Sequence, residues 1–142
     1  MRKRTFVKTL AAAAVVAAFA GAAYAQQGKP VKIGLLATLE GPFAAGGADG
    51  MRGAELAIKE RKGMVAGRKI ELVKASSDAK PDVAVNATRK LVEQDKVDIM
   101  VGPLSGGEGI AVKEYSKTQP NITFINGSSG AQATTLVNPS GT

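Results

Sequence analysis

A regular exchange between two hydrophobic periods is what most constrains the fold of this chain. Val31-Lys32-Ile33-Gly34-Leu35-Leu36-Ala37-Thr38 begins by alternation and ends as a continuous apolar run, the pattern of a strand buried on both faces. Gly41-Pro42 stops it and a Gly-rich loop is expected next. Met51, Ala54, Leu56, Ala57 and Ile58 then recur at helical spacing with Arg52, Glu55, Lys59 and Glu60 between them, an amphipathic helix ending near Gly63. Past Gly67, Lys69 to Ala75 alternate polar and apolar as a strand nearer the sheet edge does. Pro81 opens a second helix, where a missing N–H costs nothing. Its apolar face is Ala84, Val85, Thr88, Leu91 and Val92, and Glu93 to Lys96 close it. Val97 to Val101 form a third strand, Gly102 to Gly109 a second Gly-rich loop, Ile110 to Tyr115 a third helix and Ile122 to Asn126 a fourth strand. The order β-α-β-α-β-α-β requires parallel strands joined by right-handed helical crossovers, hence an α/β fold with an open parallel sheet and helices on both faces. Such sheets bind ligands in the crevice at the carboxyl ends of their strands.

The chemistry available at those ends is narrowed by what the 142 residues omit. With no Cys and no His there is no thiol nucleophile, no histidine base and no zinc site of the usual kinds, so neither a catalytic centre nor a metal or other cofactor is expected. Phosphate-binding patterns also fail, because Gly107-Glu108-Gly109 runs into Ile110 and Ala111 and lacks the spacing of a dinucleotide loop. Glu40, Asp78 and Glu108 read as solvated loop carboxylates, since nothing in their spacing pairs them.

The charge of +7 points to nucleic acid only until its location is considered. Arg2, Lys3, Arg4 and Lys8 precede the apolar run Leu10 to Ala20 and the small-x-small end Ala23-Tyr24-Ala25, the arrangement of a secretory signal peptide spanning residues 1–25. Those 25 residues hold four of the 19 basic residues and no acidic one, so residues 26–142 keep 15 basic against 12 acidic and a net charge of +3. The remaining charges interleave as on a solvated helix face, and no nucleic-acid partner is expected. A periplasmic address follows from the signal. Without a cysteine at the cleavage site, no lipid anchor is expected.

Reversible binding of a small anion or zwitterion is the activity that survives. Ser105 and the N–H groups of Gly106, Gly107 and Glu108 lie just before a helix, where donors and dipole favour a carboxylate. Ser128 and Ser129 at the neighbouring strand end add hydroxyls able to donate to the same oxygens or accept from an ammonium.

Several segments also resemble a known family. Val31-Lys32-Ile33-Gly34 running into Leu39-Glu40-Gly41-Pro42-Phe43-Ala44, then Arg52-Gly53-Ala54-Glu55-Leu56-Ala57 and Ala66-Gly67-Arg68-Lys69-Ile70-Glu71-Leu72, are similar to the start of type I periplasmic solute-binding proteins of ABC importers, in the branch that binds leucine, isoleucine and valine. Asp98 to Ser105 and Phe124 to Ser129 continue the likeness. It implies a Rossmann-like first lobe, no enzymatic activity, a small-molecule ligand held in a cleft between two lobes, and delivery to an inner-membrane ABC permease. The resemblance implies that Ser105, Gly106 and Gly107 after the third strand and Ser128, Ser129 and Gly130 after the fourth grip the ligand, with Phe43 in the loop that overhangs the cleft. Two departures leave room for a bulkier aromatic acid or an amide: Gly106-Gly107 stand where amino-acid-binding members often have hydroxyls, and Gly46 where they often have an aromatic. A ligand-sensing receptor module of the same fold is the alternative. Residues 26–142 are expected to be a partial N-terminal lobe, with the second lobe absent, because the sequence stops shortly after the fourth strand; alone, such a piece is expected to be marginally stable.

Overall fold

In the computed structural model, which describes residues 28–137, the strand expected at Val31–Thr38 (β1) runs through the middle of a five-stranded sheet. The expected signal peptide falls outside the described residues. After β1 come a 3-10 turn (Gly41–Phe43), α1 (Ala44–Glu60), β2 (Met64–Val65), β3 (Arg68–Ser77), α2 (Pro81–Arg89, continued by a π turn over Lys90–Gln94), β4 (Ile99–Val101), α3 (Gly106–Ser116), β5 (Thr123–Ile125) and α4 (Gln132–Thr135). The sheet order is β2-β3-β1-β4-β5. β1 pairs in parallel with β3 along its whole length, from Val31 opposite Ile70 to Thr38 opposite Ser77, and with β4 from Ile33 opposite Ile99 to Leu35 opposite Val101. β5 continues the parallel set beside β4, whereas β2 is antiparallel to β3.

Successive side chains of a strand face opposite sides, and β1 uses both. Leu36 joins Ala84, Leu91, Val92, Val97, Met100, Val112 and Tyr115 in the larger core, under α2 and α3. Leu35 and Ala37 pack with Met51, Ala54, Leu72 and Val101 under α1. Helices on both faces of a largely parallel sheet are the expected α/β architecture.

Several boundaries depart from the sequence reading, four of them for a physical reason visible in the packing. The segment expected as a Gly-rich loop before Met51 is helical from Ala44, because Gly47 lets the helix lie directly on the end of β1. The two-residue strand β2 is formed by a hairpin whose central residues, Ala66 and Gly67, both have positive φ, as tight two-residue connections require. Half of the second Gly-rich loop is helix, since Ser105 caps α3 and fixes its start at Gly106. A short α4 follows the fourth strand, held by Lys113, whose Nζ donates to the carbonyls of Ala133 and Val137 at 2.8 Å each.

Tyr115 makes the larger core pH-sensitive. Its hydroxyl donates to Glu93 Oε1 at 3.0 Å and its ring meets Phe124 edge-on at 6.3 Å between centroids. Burial, reinforced by the hydrogen bond to Glu93, pushes the phenol from its ordinary 10.0 up to about 12. A raised acid pKa means that the folded state favours the neutral phenol. The stabilisation is therefore complete below pH 10 and is lost as pH rises from 10 towards 12. Urea titrations across that range should show the wild type weakening with a steeper pH slope than Tyr115→Phe; equal slopes would remove Tyr115 as the cause.

Candidate ligand-binding cleft

The crossover from β1 to β3 carries α1 over one face, and the crossover from β3 to β4 passes β1 with α2 on the other. Strand order therefore reverses at β1, with β3 on one side of it and β4 on the other, and a crevice opens outside the carboxyl ends of the parallel pair β1 and β4. A cleft of about 220 Å³ lies there. Gly46, Gly47, Gly50 and Ala54 of α1 form one wall, Leu104, Gly127 and Ser128 another, and the ends of β1 and β4 the floor. No charged side chain among the described residues lines it. At Gly102 the chain leaves β4 with φ of 122°, and a methyl group there would sit 3.1 Å from the Leu36 carbonyl carbon, so only glycine fits the floor. A second hollow, of about 210 Å³, lies between α3, β5 and α4 and shares Gly102 with the first.

Ser105, Gly106 and Gly107 do not line this cleft; the start of α3 follows directly on Leu104, the last lining residue of its loop. Ser105 is the N-cap: its Oγ accepts from the Glu108 N–H at 3.4 Å, while the Ser105 N–H donates to Glu108 Oε2 at 3.3 Å, a reciprocal capping box. The N–H groups of Gly106 and Gly107 have no acceptor among the described residues. Gly106 faces the loop after β5, where a methyl group added to it would touch the Ala131 side chain at 3.0 Å.

The residues singled out from the sequence divide accordingly. Ser105, Gly106 and Gly107 stand together at the helix start, and exposed Ser128 and Gly130 lie on the adjoining loop. Ser129 turns inward: it is buried, its Oγ lies 3.3 Å from Thr134 Oγ1, and its Cβ occupies the space that a side chain at Gly109 would need. Phe43 is exposed on the 3-10 turn after β1. Asp78, also at a strand end, is engaged by Lys80, whose ammonium holds the carboxyl below the usual carboxylate range.

Glu108 is the correction. Expected as a solvated carboxylate, it is 0% exposed, and besides the Ser105 N–H it accepts from Thr38 Oγ1 at 2.8 Å and from the Ala79 N–H at 3.1 Å. The signal that would have found it is the spacing Ser105-x-x-Glu108, a capping-box pattern within the segment read as loop.

A family model described as periplasmic binding protein matches residues 30–141. The chain belongs to that family. The Leu/Ile/Val-binding protein BraC3 of Rhizobium johnstonii is 38% identical over 111 residues, covering 76% of this chain and 29% of the relative. Among solved structures, the branched-chain amino acid substrate-binding protein LivJ from Streptococcus pneumoniae, in complex with isoleucine, is 31% identical with a TM-score of 0.63 over 68% of this chain and 28% of its own. A solute-binding protein of an ABC transporter from R. palustris, in complex with benzoate, is 30% identical with a TM-score of 0.64 over 68% of this chain and 27% of its own. The chain thus spans less than a third of the length of these relatives. This periplasmic binding protein has the first-lobe α/β architecture of ABC-transporter substrate-binding proteins, and the relatives it matches are described as solute-binding proteins. No helix of the described residues is long and apolar enough to cross a membrane.

Proposed function

We propose that the protein is exported to the periplasm through a signal peptide cleaved after Ala25, binds a small amino acid or related carboxylate reversibly, and presents it to an inner-membrane ABC permease. The observation that carries this reading is the pair of unpartnered N–H groups of Gly106 and Gly107, at the positive end of an eleven-residue helix beside the crevice. Donors placed there favour a carboxylate, and a lobe closing over it would strengthen those bonds by excluding water. Ser128 supplies an exposed hydroxyl on the adjoining loop. A second reading, an aromatic acid as ligand, is favoured by the glycine wall: Gly46, Gly47 and Gly50 leave the α1 side of the cleft without side chains, and a relative of similar likeness was solved with benzoate.

The test is titration calorimetry on the full-length protein with branched-chain amino acids, benzoate-type acids and their amides. One carboxylate class should bind with exothermic saturation and raise the melting temperature by mass action. Ser128→Ala should weaken that ligand by about 1–3 kcal/mol, the range for losing a hydrogen bond to a charged group. Failure of every carboxylate to bind would remove the reading, and a mature N-terminus other than Gln26 would remove the cleavage site.

A further inference from the structure

We propose that Glu108 is a positioning residue for the cleft, whose buried carboxylate ties together three carboxyl-end segments, the start of α3 just after the Leu104 wall among them, and so holds the geometry that receives a ligand; this rests on the binding reading of the crevice given above. Each partner of the carboxylate comes from a different carboxyl-end segment. Thr38 is the last residue of β1, Ala79 follows β3, and Ser105 precedes α3. Ser77 extends the chain of bonds, its hydroxyl donating to Thr38 Oγ1 at 3.4 Å while Thr38 donates onward to Glu108. Ser77, Thr38 and Glu108 are all buried, so water cannot take over the bonds. The two backbone N–H partners can only donate, and a carboxylate is the side chain that accepts at both oxygens.

Two features show that these segments are held rather than resting in place. Ala79 has φ of 71°, a left-handed conformation that a non-glycine residue adopts at a cost, and its N–H is the one aimed at Glu108 Oε1. The chain leaving β1 leans on the same neighbourhood, since the N–H groups of Leu39 and Glu40 both donate to the Ser77 carbonyl, at 3.0 and 3.3 Å. Gly107 completes the junction, with Pro81 Cγ 3.6 Å from where its Cβ would be. The carboxylate therefore sets the position of Ser105, and with it the direction of the Gly106 and Gly107 N–H groups. Preorganised donors bind without first spending energy on their own ordering.

The experiment compares wild type, Glu108→Gln and Glu108→Ala in the full-length protein by two readouts, both far below the melting temperature of each variant. In hydrogen–deuterium exchange, the segments 76–80 and 102–107 should exchange faster in both variants while residues 31–36 keep their protection. In calorimetry with the amino acids and aromatic acids of the panel above, the dissociation constant should rise roughly tenfold for Glu108→Gln and towards a hundredfold for Glu108→Ala, as expected for leaving buried donors unpaired. A lowered melting temperature with unchanged exchange in the two loops, or with unchanged affinity, would reduce Glu108 to a structural residue and overturn the proposal. Loosened loops in a protein that binds nothing on the panel would leave the brace standing and remove the reading of the cleft as a carboxylate site.

Discussion

A Gly47→Ala variant is expected to lose about 4 kcal/mol of stability, a large share of the 5–15 kcal/mol typical of a domain, and to lose the cleft with it. Gly47 is buried on the inner side of α1. A methyl group there would be driven into the Thr38 carbonyl, 2.6 Å from its carbon and closer still to its oxygen. The obstacle is backbone, so no side-chain rotation relieves it; α1 must lift or β1 must bend. A bend in β1 displaces Thr38, whose hydroxyl donates to Glu108, and a lift of α1 withdraws the glycine wall of the cleft. Gly53→Ala is the control, because nothing lies within 4 Å of a methyl group at that position of the same helix. There alanine should stabilise by roughly 0.5–1 kcal/mol through its better helix propensity. Urea titration of the two variants checks both: equal effects would mean that α1 does not lie as close to β1 as described.

Gly47 also shows why the first helix was only half legible in the sequence. From Met51 to Ile58 the apolar spacing gives it away, and Met51 and Ala54 do face β1. Before Met51, a run with three glycines carries no helical pattern of its own, and helix forms there because tertiary contact outweighs propensity. Leu56, by contrast, falls on the apolar face by spacing and is 56% exposed. The strands were legible where their burial was two-sided: β1 coincides with the expected Val31–Thr38, while the third and fourth shrink to Ile99–Val101 and Thr123–Ile125. Of their outer residues, Val97 and Ile122 supply apolar surface without ladder partners, which periodicity cannot distinguish.

The cleft was legible in position rather than in bonding. Parallel topology placed it at the carboxyl ends, and the glycines and serines of two neighbouring loops marked the ends concerned. Which hydroxyl faces the crevice depends on packing: Ser128 and Ser129 are adjacent and chemically alike, yet the second is taken by Thr134 and by the space above Gly109. Glu108 escaped for a related reason. Its partners lie 70, 29 and 3 residues away, and only the last separation carries a local sequence pattern.

Leu36→Ala is the other substitution with a large expected effect, about 3–4 kcal/mol, and its comparison with Leu35→Ala tests the division of the core. The two leucines are neighbours on β1, both buried, at 2% and 7% exposure, and face opposite sides of the sheet. Leu36 lies in the cluster with Ala84, Leu91, Val97 and Met100, between the sheet and two helices that pack on each other. A hole there is enclosed on all sides and collapses little, so both the transfer and the cavity contributions are lost. Leu35 faces a smaller cluster under α1, next to the cleft and the glycine wall, where the helix can settle and solvent is near. Its loss should cost about 2 kcal/mol, the lower end of the same range. Leu36→Met, which keeps the volume, should cost less than about 1.5 kcal/mol. Ligand affinity should order the two alanine variants the other way: Leu35 packs on the α1 side, where the glycine wall of the cleft stands, whereas the Leu36 side chain belongs to the core on the opposite face. Chemical denaturation paired with calorimetry on the same variants separates the two effects, and a Leu35→Ala variant that is the less stable but the better binder would mean that the main core lies under α1.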